Sequence, residues 1–432
     1  MNKIIATLLS FAIPVSISYA QPLLTPDDAV NIALKNNYDI LVAHNDAEIA
    51  KVNNTPGNAG MLPSAAITGS ENYSVNNVDQ KPSGGLETKA NGAHANTFAA
   101  AALLNWTLFD GGKMFITKRK LSELESLGGL QLKDQVLQTV YNVIVAYYDV
   151  VRQKQQLASY NVVIAYNQEH VNIQQISFDA GLSPKTNILQ AKIDLNVNRE
   201  SAIRQQTVII EAKRTLNLLL SREANTAFEV TDSIPLAFTP DRTGFLEKVF
   251  SNNTNVLEVR KQLSVARLSL EEVRTLGLPR MTLNGGYSGV ESDNSASTVL
   301  MSRTYGPTIG GTVSIPLYQS GNVIRQIKTA RLQLKSTEIE LENVKLETSI
   351  QLQNLLDDFD NQRQLLAIEK DNTALAKENL DISLQRLKQG QSTTLELKQA
   401  EQSYEDALTR LIEIEYGLKV AETKLKQLLA LL

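Results

Sequence analysis

From Gly321 to Gly390 the chain has no internal Gly or Pro and consists largely of Leu, Glu, Gln, Lys and Asn. Such a run predicts one continuous helix. Leu332, Ile339 and Leu346 recur at seven-residue steps, and Leu352, Leu355, Phe359 and Leu366 extend the apolar stripe. A stripe this narrow between charged flanks packs on another long helix rather than in a globular core. At 1.5 Å per residue the helix is roughly 100 Å long. After Lys388-Gln389-Gly390-Gln391-Ser392 the periodicity resumes from Thr393 to Leu429, with Leu395, Leu397, Leu411, Ile414, Leu418, Leu425 and Leu428. Gly390 reads as a left-handed cap and Ser392 or Thr393 as the next N-cap, which makes an antiparallel hairpin of unequal arms.

The hairpin occurs twice. Subtracting 209 maps Leu317-Tyr318 onto Leu108-Phe109, Gly321 onto Gly112, Gly390 onto Gly181, and Leu425, Leu428 and Leu429 onto Leu216, Leu219 and Leu220, with no gap. This is an internal duplication. Upstream the offset is 216: Asn36-Asn37 and Leu62-Pro63 fall on Asn252-Asn253 and Leu278-Pro279. The first copy therefore holds seven extra residues between Pro63 and Leu108, which places a loop tip in that region. The expected organisation is a signal peptide at 1–20, a first repeat at 21–220, a linker at 221–240 and a second repeat at 241–432. Each repeat opens with two short helices, the first capped by Thr25 with Pro26 at its first position, the copy starting near Asp241.

Between the short and long helices the period changes to two. Ile67, Tyr73 and Val75 alternate with Thr68, Ser70, Asn72 and Ser74, and Phe98, Leu104, Trp106 and Leu108 alternate with Thr97, Asn105 and Thr107. In the second copy Met281, Leu283 and Tyr287 alternate with Thr282, Asn284 and Ser288, while Tyr305, Ile309, Val313 and Ile315 face away from Thr308, Thr312 and Ser314. Two β-hairpins, 63–109 and 279–318, with one apolar face and one uncharged polar face suit a membrane barrel, with Phe98, Leu104, Trp106, Leu108, Ile309, Val313 and Ile315 toward lipid. Glu71 breaks the rule, since parity puts it on the apolar face, and an outer rim would accommodate it. Two soluble hairpins with one buried face are the alternative. Four strands are too few to close a barrel, for which about eight are needed, whereas three chains supply twelve.

Met1-Asn2-Lys3, the apolar run Ile4–Ile17 and Ser18-Tyr19-Ala20 have the form of a secretory signal peptide cleaved after Ala20. Removing Lys3 leaves 41 basic against 46 acidic residues, a net of −5, which argues against a nucleic-acid partner. With no cysteine the chain has neither disulfides nor a thiol to acylate.

The order and doubled spacing of these motifs resemble the outer-membrane efflux protein family, the TolC-like channels. The residues that carry the likeness are Leu24-Thr25-Pro26-Asp27-Asp28-Ala29, Asn36-Asn37, Leu62-Pro63, Leu108-Phe109-Asp110-Gly111-Gly112 with its copy Leu317-Tyr318-Gln319-Ser320-Gly321, and the two hairpin turns. The resemblance implies a homotrimer in the Gram-negative outer membrane: a twelve-stranded β-barrel continuing into a long α-helical periplasmic tunnel. It also implies a periplasmic adaptor (membrane fusion protein) and an inner-membrane pump of the RND or ABC type as partners, exporting drugs or proteins.

Gly111, Gly112 and Gly321 stand where a barrel wall must turn into a helix; neither joint has the Lys-Ser/Thr pair of a phosphate loop. In the resembled family the hairpin tips meet the adaptor, which would fall here on Gly181, Leu182 and Ser183 and on Gly390, Gln391 and Ser392; Ala180 and Gln391 depart from the usual Val and Leu. The family narrows at this end between acidic side chains. Glu396 holds the matching position, with Gln399 one turn on and Asn187 as its neutral counterpart in the first hairpin. Three Glu396 carboxylates around a bore would favour cations and raise some of their pKa values; a solvated helix residue is the plainer reading. His44, His94 and His170 lie on separate elements, no enzyme motif occurs, and Asp357-Asp358-Phe359-Asp360 reads as a solvated face, so no catalytic residue, metal or cofactor is expected. A periplasmic coiled-coil adaptor or spacer without a pore is the competing function.

Overall fold

The computed structural model describes residues 23–432 apart from 82, 86, 241 and 298. The signal-peptide reading of residues 1–20, and Asp241 itself, lie outside the described residues.

Helix α1 (Pro26–Asn36) opens on a capping box: the Asp28 N–H donates to the Thr25 hydroxyl at 3.1 Å, and the Thr25 N–H donates to the Asp28 carboxylate at 3.3 Å. Asn37 then caps α2 (Tyr38–Asn53) while its amide donates to the Leu219 carbonyl at 2.9 Å. The second copy repeats the bond: Asn253 caps α6 (Thr254–Arg274) and donates to the Leu428 carbonyl at 3.2 Å. The paired asparagines thus tie the short helices to the ends of the long hairpins. Helix α5 (Phe245–Asn252) begins later than Asp241 because Gly244 turns left-handed at φ 66°.

The long hairpins are α3 (Lys113–Asp179) with α4 (Lys185–Leu219), and α7 (Asn322–Lys388) with α8 (Thr394–Leu428). Both long arms have 67 residues and both short arms 35, so every boundary repeats at the sequence offset. Near the hairpin tips the neighbours run α4, α3, α8, α7; in the other half, α2 and α6 replace α4 and α8, giving α2, α3, α6, α7. One layer of four helices results, with α4 and α2 on one edge and α7 on the other. Residues 221–240 are strapped to its side: Phe228, Val230 and Ile234 are buried with Tyr147, whose hydroxyl donates to the Leu24 carbonyl at 2.9 Å.

Helix α7 departs from expectation. Its seam to the rest of the chain is Leu341, Val344, Leu352 and Phe359, all buried, whereas Leu332, Ile339 and Leu346 are about 60% exposed (62%, 59% and 59%). The helix carries two apolar stripes, and the seven-residue pattern belongs to the one that this chain leaves bare.

Strands β1 (Ser64–Gln80), β2 (Thr88–Phe109), β3 (Arg280–Asn294) and β4 (Met301–Ser314) form one antiparallel sheet in the order β1-β2-β3-β4, with both edges unpaired. The seven extra residues of the first copy lie in a region that includes the 81–87 tip, but its hairpin is also longer in strand: β1–β2 pairing reaches Gln80 and Thr88, beyond the Asp293–Met301 limit of β3–β4.

Candidate functional site

At the first tip, Gly181 takes φ 74° and the Leu182 N–H closes back on the Ser177 carbonyl at 2.8 Å, a Schellman turn that leaves Leu182 84% exposed. The second tip repeats it with Gly390 at φ 72° and Gln391 bonded to Arg386 at 2.9 Å. The Asn187 amide donates to the Ser183 hydroxyl at 3.1 Å, which reaches Gln174 at 3.3 Å, so Asn187 is engaged within its own hairpin. Glu396 is exposed at the third position of α8. Its N–H donates to the Thr393 hydroxyl at 3.2 Å and its carboxylate accepts from the Ser392 hydroxyl at 2.5 Å. That hydroxyl holds the Glu396 carboxyl below the usual range, Arg386 adding to the effect. Gln399 lies exposed on the same helix.

What joins the two hairpins here was not legible from the chain. Lys388 of α7 pairs with Glu169 of α3 at 2.9 Å, Lys398 of α8 with Asp194 of α4 at 2.8 Å, and the Tyr166 hydroxyl donates to Asp381 of α7 at 2.6 Å. Ile173 of α3 packs into the groove between Leu380, Leu384 and Leu397. The charged partners sit at unequal places in the two copies, so the repeat alone could not pair them.

On the sheet, register sorts the side chains. Ala65, Ile67, Tyr73, Phe98, Leu104, Trp106, Leu283, Tyr287, Tyr305, Ile309 and Val313 share one face, and Thr68, Ser70, Asn72, Asn105, Asn284, Thr308 and Thr312 share the other. Glu71, Phe98, Glu291 and Arg303 form one cross-strand row on the apolar face, where Glu291 and Arg303 pair at 3.0 Å and Asn96 donates to Glu71 at 3.1 Å. Glu71 therefore marks a polar boundary. From that row to Trp106 the apolar band runs eight residue steps of β2, about 26 Å along the strand at 3.3 Å each and about 20 Å in height at the usual barrel tilt, a little short of the roughly 25 Å of an outer-membrane apolar band. At the opposite boundary the Trp106 indole donates to the Met61 carbonyl at 3.0 Å. A register shift between Thr107 and Phe109 skips Leu108 and brings Phe109, not Leu108, opposite Met281. Ile315 lies just past β4 and is 58% exposed.

Below the sheet Gly111, Gly112 and Gly321 all turn left-handed, at φ 75°, 86° and 70°. Gly111 is also crowded, since a Cβ there would meet the Leu278 Cβ at 2.7 Å. In the second copy Ser320 adopts the same left-handed backbone at φ 51°. Asp360 pairs with Arg242 at 2.5 Å while Phe359 is buried. Among the described residues no group of three or more His, Cys, Asp or Glu could hold a metal ion, and no helix is long and apolar enough to cross a membrane.

A sequence model described as outer membrane efflux protein matches residues 29–222 and again 245–431. The chain belongs to this family. The outer membrane efflux protein BepC of Brucella suis is 25% identical over 330 residues, covering 74% of this chain and 69% of that one. The proteases secretion protein PrtF of Dickeya chrysanthemi is 20% identical over 403 residues, covering 90% and 84%. The crystal structure of the CmeC outer membrane channel of Campylobacter jejuni superposes with a TM-score of 0.74 at 16% identity, covering 99% of this chain and 94% of that one. The fold is that of the outer-membrane channels, and the family places the protein in the outer membrane with its helical part in the periplasm.

Proposed function

We propose that the protein is an outer-membrane exit duct for efflux or type I secretion, built by three copies closing into a ring. The carrying observation is that both of its layers have open edges of matching kind. The sheet ends in β1 and β4; the helical layer ends in α2 and α4 on one side and α7 on the other. The helical edges bear bare apolar stripes: Tyr38, Val42, Ile49 and Val52 on α2, Leu189, Ile193 and Val197 on α4, and Leu332, Ile339 and Leu346 on α7. A head-to-tail ring covers both kinds of edge at once, and three copies bring twelve strands. The apolar sheet face then meets lipid and the Asn, Ser and Thr face lines water.

The two repeats, 21–220 and 241–432, supply alternate walls of the duct. Glu396 and Gln399 with Asn187 form the periplasmic gate; Gly181, Leu182 and Ser183 with Gly390, Gln391 and Ser392 present the tips to a periplasmic adaptor and its inner-membrane pump. The second hairpin swings away from the first to open the passage. BepC is named for efflux and PrtF for protease secretion, which supports both cargo classes equally. A spacer without a pore is disfavoured by the sheet, whose apolar face packs on no other element among the described residues.

The test is single-channel conductance of the detergent-purified protein in a planar bilayer beside Glu396→Ala. Small cation-selective steps that enlarge or lose selectivity in the variant support duct and gate together. A pore indifferent to the substitution removes Glu396 from the gate, and a folded assembly without conductance under any adaptor condition removes the duct.

A further inference from the structure

Among the described residues, two titratable side chains are buried with an atom that meets no hydrogen-bond partner: His170 through Nε2 and Glu401 through Oε1. They are 3% and 7% exposed and belong to different hairpins, His170 on α3 and Glu401 on α8. Each lies within the field of the Asp194–Lys398 pair that bridges α4 and α8; Glu405 also bears on Glu401. The nearby charges of α7 are engaged elsewhere, Lys388 by Glu169 and Asp381 by Tyr166. The hairpin interface near the tips therefore encloses one base and one acid, each almost wholly buried and without a hydrogen-bond or ion-pair partner for its side chain among the described residues.

Burial without a partner opposes the charged form of both groups. While the hairpins are packed, His170 is held neutral and Glu401 is held protonated. Parting the hairpins hydrates both, and each can then ionise: the imidazole gains a proton and the carboxyl loses one. We infer that His170 and Glu401 are a proton-compensated pair, so that the hold between the hairpins stays constant with pH in the mildly acidic range while either residue alone would make it pH-sensitive. The inference rests on the reading that these hairpins part during transport.

The signs follow from the directions. Burial lowers His170 from 6.5, so its contribution to closure is complete above that value and is lost as pH falls below it. Burial raises Glu401 from 4.5 to about 7, so its contribution is complete at low pH and is lost as pH rises through about 7. Below 6.5 the two slopes have opposite signs and offset one another, because the proton that Glu401 releases on opening is set against the one that His170 takes up.

The chain has no native cysteine, so a cysteine pair at Asn196 on α4 and Gln402 on α8, both exposed and outside the proposed gate, can be spin-labelled cleanly, with one labelled copy diluted into unlabelled assemblies. The ratio of parted to packed distances is measured between pH 5.5 and 6.5, with conductance recorded alongside. The unsubstituted protein should change by less than about twofold. His170→Gln should favour parting as pH rises, and Glu401→Gln as pH falls, each by up to about tenfold per pH unit for one uncompensated proton. Either variant set against the parent decides the matter if the other fails to assemble. A parent as pH-sensitive as a variant, or variants as flat as the parent, overturns the pair. Distances that respond to pH in a variant without any change in conductance sustain the pair and sink the gate reading instead.

Discussion

The Tyr166 hydroxyl on α3 donates to the Asp381 carboxylate on α7 at 2.6 Å, a direct bond between the two helical hairpins. Burial, reinforced by Asp381, pushes the phenol up to about 12, so it remains a donor at any physiological pH. Tyr166→Phe keeps the ring packed beside Tyr404 and deletes the bond. The loss of one hydrogen bond to a charged acceptor at a half-buried site costs the closed arrangement about 1–2 kcal/mol. Open probability in a planar bilayer should rise roughly tenfold, and an unchanged open probability would show that this bond does not hold the gate.

Ser392 sets the charge on Glu396. The hydroxyl donates to the carboxylate at 2.5 Å and, as its largest influence, holds the carboxyl below its usual value of 4.5. Because that pKa is depressed, the charge persists as pH falls and disappears only beneath 4.5. In Ser392→Ala the titration should move upward, so that cation selectivity fades at a higher pH than in the parent. Identical selectivity–pH curves for the two proteins would detach Glu396 from the permeation path.

The helices were legible in the sequence because a period of 3.6 sustained over some 67 residues leaves little room for another structure, and because an ungapped repeat forces equal boundaries. The faces of the strands were legible from their period of two, down to Glu71, whose anomalous parity becomes a row with Glu291 and Arg303. Orientation about the helix axis was not. Helix α7 carries two apolar stripes, and only the packing of α6 decides that Leu341 and Val344 turn inward while Ile339 stays bare. Cross-hairpin partners such as Asp194 and Lys398 depend on the stagger of two helices, which no local pattern encodes. The bulge that displaces Leu108 in favour of Phe109 is likewise a property of strand pairing.

The barrel-to-helix joint should distinguish its glycines. At Gly112 and Gly321 an added Cβ would find no atom within 4 Å, so alanine there costs only the left-handed backbone, about 1–2 kcal/mol. Gly111 adds a clash with Leu278 and an approach to the Thr275 carbonyl at 3.1 Å. Gly111→Ala should therefore destabilise the assembled protein more than Gly112→Ala, by about a further 1–3 kcal/mol, read as the larger drop in thermal midpoint. Equal shifts would mean that the segment just past α6 yields at Leu278.

The two faces of the sheet should respond oppositely to charge. Ile309 lies within the apolar band, paired with Gly285 in the row next to that of Trp106, while Thr308 points to the other side. Ile309→Lys should impair membrane insertion by about 1–2 kcal/mol, between the cost of a cation at mid-depth of an outer-membrane barrel and the smaller cost at its interface. Thr308→Lys should insert normally and shift ion selectivity toward anions. Outer-membrane recovery of folded protein reads the first and reversal potential the second; equal tolerance at both positions would contradict a lipid-facing assignment.

Ring closure should depend on the stripe that α7 leaves bare. Ile339 is 59% exposed in the single chain, whereas Leu341, two residues on, is buried against Val256, Val259 and Leu263. A charge at Ile339 meets water while the chain is alone and an apolar neighbour only once a second copy arrives. Ile339→Glu should leave the helical circular dichroism of the chain intact yet abolish heat-resistant oligomers, because burying an isoleucine is worth about 1.5–3 kcal/mol per copy and a ring loses it at every interface. Leu341→Glu should instead destabilise the chain itself, since it puts an unpaired carboxylate among buried aliphatic side chains. If Ile339→Glu assembles as well as the parent, the seven-residue stripe is not an interface, and the open edges of the helical layer must be covered by something other than a second copy.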